Sequence, residues 1–164
     1  MAKLKWKRLS YRELFVGIAR CHENVHSLVT AAQYLYSKGF YASAVFQTIL
    51  AMEEQGRKLV LYVAYIDGIE LDEKCWRIIF RDHRSKIALL AIGYFSTLGK
   101  RKWMKTLRRV GSEYQALKER AMYVDFEVER NHWTHPGRIS QKKALSVLRE
   151  AKLFLFATDK IMVD

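Results

Sequence analysis

In the stretch KERAMYVDFEVERNHWTHP, residues 118–136, two arginines each have a proton-transfer candidate five residues on: Arg120 with Asp125, and Arg130 with His135. A guanidinium can clamp a phosphate in a two-pronged grip, and a neighbouring carboxylate or imidazole can move a proton. Together they are a minimal kit for cleaving RNA without a metal. Tyr123, between Arg120 and Asp125, adds a phenol as a further proton donor. Residues five apart on one ideal helix stand about 140° out of register, so Arg120 and Asp125 converge only if a helix ends near Asp125 or two copies share the site. His135 precedes Pro136, which biases it to extended backbone. Spacing alone also allows both pairs to be chance matches in a basic chain.

Three other blocks carry chemistry-bearing residues. In AMEEQGRK, residues 51–58, Glu53 and Arg57, and likewise Glu54 and Lys58, fall at i,i+4 and can pair along a helix. Leu50, Ala51 and Leu59 flank them, so at least one glutamate must lie at the apolar boundary and need a partner. FRDHRSK, residues 80–86, puts Phe80, His83 and Ile87 on one helical stripe, with Lys86 one turn beyond the histidine. The plainer reading of these two blocks is a solvated helix face and a satisfied histidine at the core edge. GKRKWMKTLRR sets Lys100, Arg101, Lys102, Lys105, Arg108 and Arg109 around Trp103. That run reads as a phosphate track with one stacking ring, or as a solvated face with the tryptophan turned inward. His22 and His26 at i,i+4 could chelate zinc, with His132 and His135 as added ligands, but no third ligand is fixed by spacing. Neither a metal nor a cofactor is expected.

Composition bounds what holds these residues. The chain has 164 residues, is half hydrophobic and contains one proline, enough for one core and too little for two ordinary domains, so residues 1–164 are expected to form one domain. A formal net charge of +12 points to polyanionic partners. Frequent aromatics beside the charges favour nucleic acid over anionic lipid. No run of about 18 apolar residues occurs and the basic N-terminal stretch lacks an apolar signal core, so the expectation is a cytoplasmic chain without stable membrane insertion. Cys21 and Cys75, far apart and outside any CxxC, fit a reducing compartment.

The periodicity is helical almost throughout. Leu14, Ile18, Cys21, Val25, Leu28, Ala32 and Leu35 mark a first helix ending near Lys38-Gly39. A second spans about Tyr41 to Ile66, and a third runs from a cap near Asp72 through Trp76, Ile79, His83, Ile87 and Tyr94 to about Gly99. The fourth extends through Leu117 to about Val124, and Ser140 caps a last helix through Ile161. A loop of about 15 residues between the last two is long for a compact bundle and so a candidate functional segment. The predicted fold class is all-α, an antiparallel bundle of about five helices.

Taken in order, AMEEQGRK, FRDHRSK, KERAMYVDF and then W-T-H-P resemble the abortive-infection AbiV family of the HEPN superfamily, over roughly residues 10–160. The resemblance implies a HEPN-like helical bundle that commonly dimerises, in a superfamily rich in metal-independent ribonucleases and toxins of phage defence. The superfamily's signature of Arg, four to six residues, then His is met literally by Arg130 and His135. The AbiV-like pattern instead places its block at Arg120, Tyr123 and Asp125, with Asp125 where a His is expected. Two mechanisms follow: His135 or His83 as base with Arg130 or Arg120 on the phosphate, or Asp125 as base with His83 or Tyr123 as acid and Lys86 or Arg120 as oxyanion partner. The partners implied are RNA, a second copy with the Arg120 segments near the two-fold, and an antitoxin or phage-encoded regulator. A non-catalytic nucleic-acid- or protein-binding module, with Arg120 and Glu54 as a structural ion pair, is the competing reading.

Overall fold

The computed structural model describes residues 8–97, 104–123, 125–127 and 132–161. Six helices run through them: α1 Tyr11–Ser37, α2 Tyr41–Ile66, α3 Glu73–Arg81, α4 His83–Thr97, α5 Met104–Met122 and α6 Gln141–Ile161. Two three-residue strands, β1 Asp125–Glu127 and β2 His132–Thr134, and a 3-10 turn at Pro136–Arg138 lie between α5 and α6. The all-α class expected from periodicity is what the chain adopts.

Helix α1 begins where Ser10 and Glu13 cap each other: the Glu13 amide donates to the Ser10 hydroxyl at 3.3 Å, and the Ser10 amide to the Glu13 carboxylate at 2.9 Å. Its apolar face, with Leu14, Cys21, Val25 and Ala32 buried, lies against α2. Asp72 caps α3 by accepting the Cys75 amide at 2.7 Å, and Ser140 caps α6 by accepting the Lys143 amide at 3.2 Å.

Two expectations are corrected. The single third helix breaks at Asp82, whose backbone is extended at φ −97° and ψ 100°. Its carboxylate accepts the amides of Arg84 at 3.1 Å and Ser85 at 3.3 Å, and also the Ser85 hydroxyl, so a new helix starts at His83. Short acidic side chains compete with the helical backbone in this way. Phe80 and His83 therefore belong to different helices, and the stripe joining Phe80, His83 and Ile87 does not form. The loop between the fourth and last predicted helices also carries order, as an antiparallel ladder pairing Asp125 with Thr134, Phe126 with Trp133 and Glu127 with His132.

Helix α2 serves two apolar cores. Val45, Ile49 and Met52 join Ile87 and Leu90 of α4, Tyr114 and Ala121 of α5, and Val147 and Phe154 of α6. Further along, Leu61 and Ala64 join Leu14 and Cys21 of α1 and Ile79 of α3. Between those stretches α2 buries Glu53, Gln55 and Lys58, so AMEEQGRK crosses the seam between the cores.

Candidate active site

Helix α4 reaches that seam because two glycines leave room for its backbone. A Cβ on Gly56 would lie 2.1 Å from the Lys86 carbonyl oxygen, and one on Gly111 would lie 2.8 Å from that of Arg84. The first turn of α4 is thus held closely against both α2 and α5, which delivers His83 and Lys86 to the polar stretch of α2.

Glu53, 4% exposed, is the hub. Its Oε2 lies 2.6 Å from His83 Nδ1, and its Oε1 accepts from Lys118 Nζ at 2.6 Å. A carboxylate can only accept, so in its bond with Glu53 His83 Nδ1 carries the proton, leaving Nε2 as the nitrogen available for proton transfer. The His83 side chain is half-exposed at 49%, while those of Glu53 and Lys118 are buried. A fixed carboxylate behind an imidazole that meets solvent is the arrangement that orients a general base.

Lys86 is 1% exposed. Burial, and then the Arg57 guanidinium, hold its ammonium below the usual lysine range; Glu53 and Glu54 oppose that shift and Lys118 adds to it. Three cations, Arg57, Lys86 and Lys118, thus share this region with two carboxylates. The surplus of positive charge favours an anion beside the exposed imidazole of His83.

Glu54 faces α1 and α3. It pairs with Arg57 Nη1 at 3.0 Å, while Arg57 Nε donates to the Ile79 carbonyl at 3.2 Å and the guanidinium lies 5.5 Å from the centre of the Phe80 ring. The Cys21 thiol lies beside Glu54; burial first, and then that carboxylate, push its pKa up to about 12, which makes it a poor nucleophile.

The expected pairs of Glu53 with Arg57 and Glu54 with Lys58 are therefore replaced. Because α2 is covered on several sides, Glu53 takes its partners from α4 and α5, while Glu54 keeps one on its own helix, Arg57, three residues on. Lys58 turns the other way, to Asp159 at 2.9 Å and His22 Nδ1 at 3.1 Å. That ammonium faces the ring nitrogen of His22, and among the described residues no group of three or more His, Cys, Asp or Glu is gathered to hold a metal ion.

Of the residues singled out by sequence, the structure brings His83 and Lys86 together beside Glu53, with Glu54 adjoining. Arg120 lies in the last turn of α5 and is exposed, as is Tyr123, and neither hydrogen-bonds to this cluster among the described residues. Lys118 and Arg120, two residues apart on a helix, point about 200° away from each other. The proposed Arg120–Glu54 pair gives way to Arg57–Glu54. Helix α5 ends before Asp125, which opens β1, while its side chain and those of Lys105, Arg108 and Arg109 lie outside the described residues. Arg130, Lys100, Arg101, Lys102 and Trp103 lie wholly outside them. His135 is exposed at the entry to the 3-10 turn, where its carbonyl accepts the Arg138 amide at 3.0 Å.

Sequence reasoning missed Glu53 as the hub, Lys118 as its partner, and both glycines. Each left a signal. Lys118 lies between the buried Tyr114 and Ala121 at i, i+4 and i+7, a lysine on an apolar stripe. Gly56 and Gly111 interrupt helices, where glycine often marks a close approach.

The AbiV family model, HEPN_AbiV, matches residues 13–155. The chain belongs to this family of HEPN-type abortive-infection proteins. No curated protein and no solved structure matches it significantly. None of the described helices is long and apolar enough to cross a membrane.

Proposed function

We propose that the protein is a cytoplasmic anti-phage effector that cleaves cellular RNA without a metal, with His83 as its proton-transfer group. The observation that carries this reading is the bond between the buried Glu53 and the half-exposed His83, 2.6 Å long, in a region with more cations than carboxylates. His83 Nε2 would take the proton of an RNA 2′-hydroxyl as that oxygen attacks the adjacent phosphorus; the bond to the 5′-oxygen would break, that oxygen taking a proton from water to leave as a hydroxyl, and a 2′,3′-cyclic phosphate would remain. A guanidinium would stabilise the charge on the phosphoryl oxygens. Arg120 points away from the face of α5 that carries Lys118, so it fits this role across a homodimer with the two Arg120 segments near its two-fold. An antitoxin or phage-encoded regulator would then act on the assembled dimer.

The departure at Asp125 from the expected His favours a second reading, a non-catalytic module that binds nucleic acid or a partner protein. Digestion of total RNA by the purified protein in EDTA decides between them. The expected result is cyclic-phosphate ends, with rates reduced at least about 100-fold in His83→Ala and Arg120→Ala. Loss of cleavage in His135→Ala but not His83→Ala would move the site to the Arg130 segment; no cleavage by the folded wild type would leave the binding module.

A further inference from the structure

Helix α6 carries five cations, Lys142, Lys143, Arg149, Lys152 and Lys160, against two carboxylates, Glu150 and Asp159. Both carboxylates are engaged within the fold. Glu150 accepts the Tyr114 hydroxyl at 2.5 Å and the Ser146 hydroxyl at 3.0 Å. Asp159 accepts from Lys58 and Gln55, each at 2.9 Å. Lys142, Lys143, Arg149 and Lys152 are exposed, and among the described residues none of them forms an ion pair.

Their spacing gives this charge a direction. Lys142, Arg149 and Phe156 are seven residues apart, which on an α-helix places them along one line with steps of about 10.5 Å. Lys152 stands beside that line. Phe156 is 65% exposed and Leu153, next to it, 56% exposed, whereas Ala144, Val147, Ala151 and Phe154 are buried on the inner side of the helix. A row of uncompensated cations leading to an exposed ring matches a single strand of nucleic acid, whose phosphates meet the cations and one of whose bases stacks on the ring. A membrane surface would ask for a wide apolar stripe, and here the two large apolar side chains occupy one end of a charged line.

We infer that the outer face of α6 is a binding surface for single-stranded RNA, with Lys142, Arg149 and Lys152 on the phosphates and Phe156 under a base. It rests on the proposed function only in taking RNA as the polyanion, and it requires no cleavage.

The test is fluorescence anisotropy of a labelled oligouridylate with the full chain, titrated across salt concentrations. Wild type is expected to bind with a steep salt dependence. The triple variant Lys142→Gln/Arg149→Gln/Lys152→Gln should lower the log–log slope by about 2, from roughly 0.7 per lost contact on a single strand. Phe156→Ala should weaken binding about tenfold with the slope kept. Lys38→Gln, a cation at the C-terminal cap of α1, should change neither. Circular dichroism melts confirm that these surface variants stay folded. Wild-type affinity and slope in the triple variant would overturn the assignment, as would binding of phosphatidylserine vesicles without binding of RNA. A wild type that binds through α6 but does not cut sinks the catalytic reading and leaves this one standing; cleavage lost in His83→Ala with binding unchanged supports both.

Discussion

Two buried polar clusters grow from the same eight residues of α2, and they are built on different principles. Around Glu53, one carboxylate is shared by His83 and Lys118, Lys86 lies buried nearby with its charge disfavoured, and the imidazole opens to solvent. Around Gln55, partners are closely matched: its amide donates at 2.9 Å to both Thr158 Oγ1 and Asp159 Oδ1, the Thr158 hydroxyl donates onward to the backbone of its own helix, and Lys58 meets Asp159 and His22. The second cluster ties α2 to α6 and α1, and its solvent-facing members, Asp159 and His22, are both bonded to Lys58. The first holds excess charge and presents a group that can exchange a proton. Burial of polar groups therefore does not by itself mark an active site; a buried network with an exposed titratable end and unbalanced charge does.

Breaking the first cluster should have the largest effect. Glu53→Ala strands Lys118 and worsens the burial of Lys86, with an expected loss of about 3–5 kcal/mol in urea unfolding. The double variant Glu53→Met/Lys118→Met should recover at least about 1 kcal/mol of that loss, because removing both charges is less damaging than orphaning one. Equal instability of the single and double variants would mean that the Glu53–Lys118 pair is not what the site rests on.

In the second cluster, Lys58→Met should destabilise by only about 1–2 kcal/mol, since the Asp159 side chain is 48% exposed and can turn to water. RNA cleavage by the folded fraction should be unchanged. A fall in specific activity comparable to that of His83→Ala would erase the distinction between the clusters.

The smallest effect is a slope. Because burial lowers the Lys86 pKa below the ordinary lysine value of 10.5, the unfolded chain holds more protons between the folded and unfolded values, and this residue makes stability rise with pH across that window. Tyr114 acts in the opposite sense: burial and its bond to Glu150 raise its pKa above 10.0, so its contribution is lost as pH climbs beyond that value. Unfolding followed from pH 8 to 11 in a Tyr114→Phe background should show an upward slope that Lys86→Met removes. The same slope in both chains would show that Lys86 does not titrate in this way.

Much of the frame was readable because it rests on local rules. The ends of α2, the caps at Asp72 and Ser140 and the apolar face of α1 follow from periodicity and from side chains that bond their own backbone within three residues. The break at Asp82 was less legible, since an aspartate within an unbroken apolar period can face solvent or cap a helix, and its bonds to Arg84 and Ser85 decided. The hairpin left a weak signal in the alternation of Val124, Phe126 and Val128, too short to stand out against a loop.

By itself the sequence determined the helical class, the basic character and the family blocks, because composition, periodicity and short-range spacing are written along the chain. Only the tertiary structure decided which charges meet. Glu53 could pair with Arg57 one turn away, yet Gly56 and Gly111 let α4 come close enough for His83, thirty residues on, to bind it, with Lys118 joining from sixty-five residues on. Once a carboxylate is buried, the partner that packing delivers outweighs the one that spacing offers.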